Sequence, residues 1–154
     1  MSDQRFWGTW KLKTMVKRSP SGQVSLPLSK NPLGYITYTP DGFMHAILMK
    51  SGRKPIGLFP EELRDALSSK RIFFSLRYIL AGLKYLIAIT SCVSYCGTYE
   101  VKGDTVAHHV NASMVPDWIG ADLTRQFHFS EGTLTLIAKG HGGAVMELLW
   151  ERVS

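Results

Sequence analysis

One stretch limits what this chain can fold into more than any other: residues 95–129, YCGTYEVKGDTVAHHVNASMVPDWIGADLTRQFHF. Side chains on a strand alternate between two faces, and this stretch reads as three strands in succession. Tyr95, Gly97, Tyr99 and Val101 share a face of the first. Lys102, Gly103 and Asp104 reverse the chain, and Val106, His108, Val110 and Ala112 share a face of the second. A loop through Pro116, Trp118 and Gly120 leads to the third, where Leu123, Arg125, Phe127 and Phe129 lie together. In each strand this is the inward face. It sets a phenol, an imidazole and a guanidinium among apolar side chains, and buried polar groups need partners. The expectation is a polar cluster that points into a cavity and meets a small molecule there.

The rest of the chain extends the pattern. Residues 8–17 alternate, with Trp10, Leu12, Thr14 and Val16 on one side and Lys11, Lys13, Met15 and Lys17 on the other. Residues 23–33 carry Pro27 and Pro32 and read as an extended loop. Residues 34–39 and 43–50 form a hairpin over Pro40-Asp41-Gly42. Pro60-Glu61-Glu62 opens a helix, with proline and acids both suited to a first turn. The helical pattern runs to about Thr90. Lys70, Arg77, Lys84 and Ser91 make a narrow polar stripe beside a wide apolar face of Ile72, Phe73, Leu76, Ile79, Leu80, Leu83, Leu86 and Ile87. It reads as one helix, or as two broken near Gly82.

Residues 72–93 are long enough to span a bilayer, but Arg77 and Lys84 would sit inside it, which argues against a membrane role. Packing on the barrel mouth, or on a second subunit as a homodimer contact, suits this face better. The last two strands are residues 132–138 and 144–153, around a turn at 139–143. The count predicts an all-β fold: an eight-stranded antiparallel up-and-down barrel in one domain, 1–154. A helical insertion of about residues 60–91 falls between strands three and four. Eight strands enclose room for one small ligand.

Several function classes are disfavoured. The net charge is +6, yet the cations are scattered and no stretch holds five, so no nucleic-acid partner is expected. Cys92 and Cys96 form no CxxC and have no second pair to complete a zinc site, so free thiols are expected and no metal. The first ten residues show no secretory pattern, and a cytoplasmic protein is expected. There is no dinucleotide fingerprint, P-loop, nucleophile elbow or His-Glu-x-x-His, so no cofactor is expected.

Several segments together resemble the lipocalin-like domain family of fungal and bacterial proteins. Trp10 within Gly8-Thr9-Trp10 is similar to the Gly-x-Trp signature of lipocalins. PLGYITYTPDG (residues 32–42), YCGTYEV (95–101), VAHHVNASMVPDWIG (106–120), Arg125-Gln126-Phe127 and the closing LWERV (149–153) are similar to family elements. The resemblance implies an eight-stranded barrel with a central pocket, and Arg152 packed over Trp10 where the first and last strands meet. Members often sit beside natural-product biosynthetic genes, which implies a polyketide- or terpenoid-sized ligand. The stretch from about Ser69 to Ser91 is longer than in ordinary members, and the 139–143 turn is looser.

The candidate residues each admit two readings. His108 is a satisfied core histidine or an acid–base group in the pocket. Arg125 pairs with Glu100 or Asp117, or binds an anionic or enolate oxygen of a ligand. Tyr38 and Tyr99 pack as aromatics or present phenols to a carbonyl. Trp118 is a plug or a pocket wall, Phe127 lines the same face as Arg125, and His45 joins His108 if it points inward. These alternatives lead to two functions. One is a cofactor-independent isomerase or cyclase acting on a small hydrophobic natural-product intermediate, with His108, Arg125 and Tyr99 catalytic and Tyr38, His45, Trp118 and Phe127 binding the ligand. The other is a carrier for a small hydrophobic ligand, anionic or enolic, with Arg125 as counter-ion.

Overall fold

The alternating segments form strands in the computed structural model, which describes residues 3–69 and 75–153. They are β1 (Gly8–Arg18), β2 (Val24–Ser25), β3 (Leu33–Tyr38), β4 (Phe43–Met49), β5 (Cys92–Lys102), β6 (Thr105–Ser113), β7 (Asp122–Ser130), β8 (Thr133–Lys139) and β9 (Val145–Arg152). The order in the sheet is β2-β1-β3-β4-β5-β6-β7-β8-β9, and β1 also pairs with β9. That pairing closes the eight long strands into an antiparallel barrel. The two-residue β2 lies outside the closure, against Lys17 and Arg18 at the end of β1.

Two compact units are present: Met1–Ser51 with Val93–Ser154, which is the barrel, and Gly52–Cys92. The second unit holds α1 (Pro60–Ser68) and α2 (Leu76–Thr90), between β4 and β5 in the chain. With β2 set aside, those are the third and fourth strands of the barrel. Pro60 opens α1, and Glu62 reaches back to accept from the Phe59 N–H at 3.2 Å. The break expected near Gly82 does not occur, since α2 runs through it. One helical glycine costs only about 1 kcal/mol against alanine, and the surrounding leucines, isoleucines and alanine favour the helix. Lys70, Ile72 and Phe73 lie outside the described residues. Leu76, Ile79, Leu80, Leu83, Leu86 and Ile87 are exposed on α2. No described helix is long and apolar enough to cross a membrane.

Two bulges correct the expected faces. In β1, Leu12 pairs with Trp150 but Thr14 pairs with Leu149, the next residue back, so Lys13 is extra. The extra residue reverses the alternation beyond it. Met15 is therefore buried and Thr14 exposed, the opposite of the sequence reading. In β6, Val110 pairs with Gly97 and Ala112 with Cys96, which leaves Asn111 unpaired. Ala112 is accordingly exposed, not inward. Glycine is required at position 97, because a Cβ there would stand 1.9 Å from the His109 carbonyl oxygen.

The N-terminal turn closes one end of the barrel. Phe6, in the 3-10 turn Gln4–Phe6, is 0% exposed. Its ring meets Tyr38, Phe127 and Phe129 edge-on with centroids 5.0, 4.9 and 5.0 Å away. The Trp10 indole N–H donates to the Phe6 carbonyl at 2.8 Å. The Arg152 guanidinium stands 4.2 Å from the Trp10 ring centroid and donates to the Trp7 carbonyl at 2.7 Å. A stacked cation of this kind contributes about 0.5–2 kcal/mol. This end is packed solid with aromatic rings.

Candidate ligand-binding site

The far half of the barrel is hollow. A cavity of about 500 Å³ is walled by apolar side chains from every long strand but β6, among them Met15, Ile36, Leu48, Leu136, Met146 and Leu148. The bulge at Lys13 is what turns Met15 into this wall. Trp118 closes one side, from the 3-10 turn Pro116–Trp118 after β6, and its ring meets Tyr95 edge-on at 5.8 Å. Trp150 also lines the space, and its indole N–H has no hydrogen-bond partner among the described residues. The polar groups on the lining are Lys17, Tyr95, Asp122, Thr124, Arg125 and Lys139.

Arg125 reaches the lining because it follows Leu123 by two on β7, on the inward face. Its Nη1 donates to the Leu123 carbonyl at 2.7 Å, and its guanidinium carbon lies 5.7 Å from the Tyr95 ring centroid. Neither expected carboxylate pairs with it. Glu100 bridges to Lys102 at 2.7 Å, and Asp117 is exposed in its turn. Among the described residues Arg125 has no acidic partner. Of the charged groups around the hollow, Lys17, Arg125 and Lys139 are cations, and the lone carboxylate, Asp122, is engaged by His109 at 2.6 Å. The electrostatic preference is for an anion.

His108 lies between the solid end and the hollow end. It is 0% exposed and does not line the cavity. The Tyr38 hydroxyl lies 2.8 Å from its Nε2 and the Tyr95 hydroxyl 3.0 Å from its Nδ1. Both ring nitrogens are thus satisfied, as a core histidine requires. Burial, helped by the charge of Arg125, holds its pKa well below the usual histidine value, so the ring is neutral. Burial also raises the Tyr95 hydroxyl pKa, with Arg125 opposing, and Tyr95 is a neutral donor.

The sequence candidates therefore separate. Arg125 and Trp118 reach the cavity. His108 and Tyr38 sit behind its wall, joined to it through Tyr95. Tyr99, directly across from His108 in the β5–β6 pairing, donates instead to the Thr39 carbonyl at 3.1 Å, at the solid end. Phe127 packs on Phe6 and does not line the hollow. His45 is exposed on the outside of β4, because Met44, Ala46 and Leu48 are the inward residues of that strand. The residue missed is Tyr95, which was visible on the inward face of β5 but carried no separate signal. Among the described residues, no three His, Cys, Asp or Glu side chains gather as a metal site.

A family model described as a lipocalin-like domain matches residues 7–153. No curated protein matches the sequence. Among solved structures, a redesigned beta barrel is 12% identical, covering 97% of this chain and 92% of that one, with a TM-score of 0.43. An uncharacterized protein from Bacteroides eggerthii DSM 20697 is 11% identical, covering 96% of this chain and 98% of that one, with a TM-score of 0.43. A mutant of the fluorescent protein UnaG is 14% identical, covering 97% of each chain, with a TM-score of 0.39. Likenesses this distant bear on nothing further.

Proposed function

The chain belongs to the lipocalin-like domain family, and from that premise we propose that it binds a small, largely apolar molecule with an anionic or enolic oxygen inside the barrel, Arg125 serving as counter-ion. The observation that carries this reading is the guanidinium itself. It lines an apolar hollow of about 500 Å³, and no carboxylate among the described residues is paired with it. A concave apolar site with a few placed polar groups is the usual form of a ligand pocket. A cation left there unpaired is costly until a ligand supplies the counter-charge.

Two fluorescent probes of one skeleton test it. Anilinonaphthalenesulfonate carries an anion, and N-phenyl-1-naphthylamine is the same arene pair without it. The protein should bind the sulfonate about tenfold or more tightly than the amine, a gap that Arg125→Met removes. Because no carboxylate among the described residues pairs with Arg125 and would be stranded, Arg125→Met should leave stability within about 0.5 kcal/mol of wild type. Ala138→Trp, which fills the lining, should abolish binding of both probes. Undiminished affinity in Ala138→Trp would move the site elsewhere.

A cofactor-free isomerase or cyclase acting on the same molecule is the second reading, favoured by the polar link from Arg125 and Tyr95 back to a buried imidazole. Of its three catalytic candidates only Arg125 touches the cavity, which supports the carrier over the enzyme. A candidate intermediate recovered chemically unchanged after incubation, by mass spectrometry, supports the carrier; its conversion supports the enzyme.

A further inference from the structure

We propose that Tyr95 is the second polar anchor of the cavity, donating its hydroxyl hydrogen to the same ligand oxygen that Arg125 neutralises, and that His108 is a positioning residue that frees that hydrogen. The inference rests on the binding reading above and adds to it the donor that fixes the ligand's head group.

Counting hydrogens gives the direction. The Tyr38–His108–Tyr95 chain has two hydrogen bonds, at 2.8 and 3.0 Å, and a neutral imidazole brings one N–H to them. Two phenols and one N–H supply three hydrogens for two bonds, so one phenol keeps a hydrogen to spend elsewhere. If it were Tyr38, that hydrogen would be orphaned. Tyr38 is 1% exposed, does not line the cavity, and is packed against the Phe6 and Tyr99 rings with no other hydrogen-bond partner among the described residues. A buried donor left unmade is expensive. If it is Tyr95, the hydrogen belongs to a residue on the cavity lining beside an unpaired guanidinium. The chain therefore runs from the Tyr38 O–H to Nε2, and from Nδ1–H to the Tyr95 oxygen, leaving the Tyr95 O–H for the ligand.

A cation and a neutral donor side by side suit an oxygen anion with more than one lone pair: a carboxylate, an enolate or, in a probe, a sulfonate. An apolar molecule ending in an ammonium or a hydrocarbon leaves both unmet. The ligand class is thus an apolar acid or an enolised ketone, held head-down against β5 and β7.

Titration with the same two probes tests the anchor, and nitrogen-15 spectroscopy of the unliganded wild type tests the geometry behind it. Tyr95→Phe should weaken anilinonaphthalenesulfonate about tenfold and change N-phenyl-1-naphthylamine less than twofold. The His108 ring should show the Nδ1–H tautomer, the form that leaves the Tyr95 O–H free. Equal loss for both probes, or no loss for either, overturns the anchor while leaving cavity binding intact. Failure of the wild type to bind either probe overturns the binding reading itself. Should Tyr95→Phe not fold, the tautomer decides: Nδ1–H supports the proposal and Nε2–H overturns it.

Discussion

The two ends of this barrel are built from the same strands and do opposite things. At one, Phe6 is driven between Tyr38, Phe127 and Phe129, and Arg152 clamps the turn that carries it. At the other, the wall residues are no less apolar, but among the described residues no terminal segment lines the space between them. Hydrophobic lining alone does not make a core. It becomes one where an extra segment supplies the missing volume, and where none does the lining becomes a pocket. His108 stands at the boundary, hydrogen-bonded to one phenol from each side.

The comparison predicts unequal costs for equal damage. Phe6→Ala removes the plug from a filled site and should cost about 3–5 kcal/mol, measured by urea denaturation, because it adds a cavity to the lost transfer energy. A loss below about 1 kcal/mol would mean that the solid end is not close-packed. At the boundary the effect is a pH dependence. The folded-state pKa of His108 is depressed, so between about pH 6.5 and that lower value the unfolded chain takes up a proton that the folded one excludes. Stability should therefore be undiminished above about pH 6.5 and fall as the pH drops below it, by up to about 1.4 kcal/mol per pH unit. His108→Gln should lose this increment relative to wild type over pH 6.5–5.5, and parallel curves would contradict the assignment. The smallest effect belongs to the hollow end. Met146→Ala on the cavity wall should cost about 1 kcal/mol, the transfer contribution without a new void, and should widen the range of probes admitted.

The strands and their meander order were legible in the sequence, because alternation against polar turns is a local signal. The families of inward residues were legible only up to each bulge. Nothing in GTWKLKTMVK marks Lys13 as supernumerary, since the slip is set by pairing with β9, more than a hundred residues away. His45 was ambiguous for a related reason: β4 is apolar on both faces, so periodicity could not choose between Phe43, His45 and Ile47 and their neighbours. Arg125 was readable as an inward cation, but the choice of partner was not, because the outward Glu100 is taken by Lys102. Tyr99, the phenol expected to act with His108, does sit opposite it in the β5–β6 pairing. The three-dimensional reach of the side chains instead brings Tyr95, four residues earlier, to the imidazole.

The extra residue at Lys13 also bears on how such a wall changes over generations. Ordinary substitution alters one lining group per event. A codon gained or lost within a strand, absorbed by a kink and not expelled into a loop, exchanges the lumen-facing set for the solvent-facing set along the rest of that strand. Here that exchange puts a thioether where a hydroxyl would otherwise stand. Descent can thus retune what the vessel holds in one step, while the seam that keeps it shut absorbs the extra residue and stays paired on both sides of it.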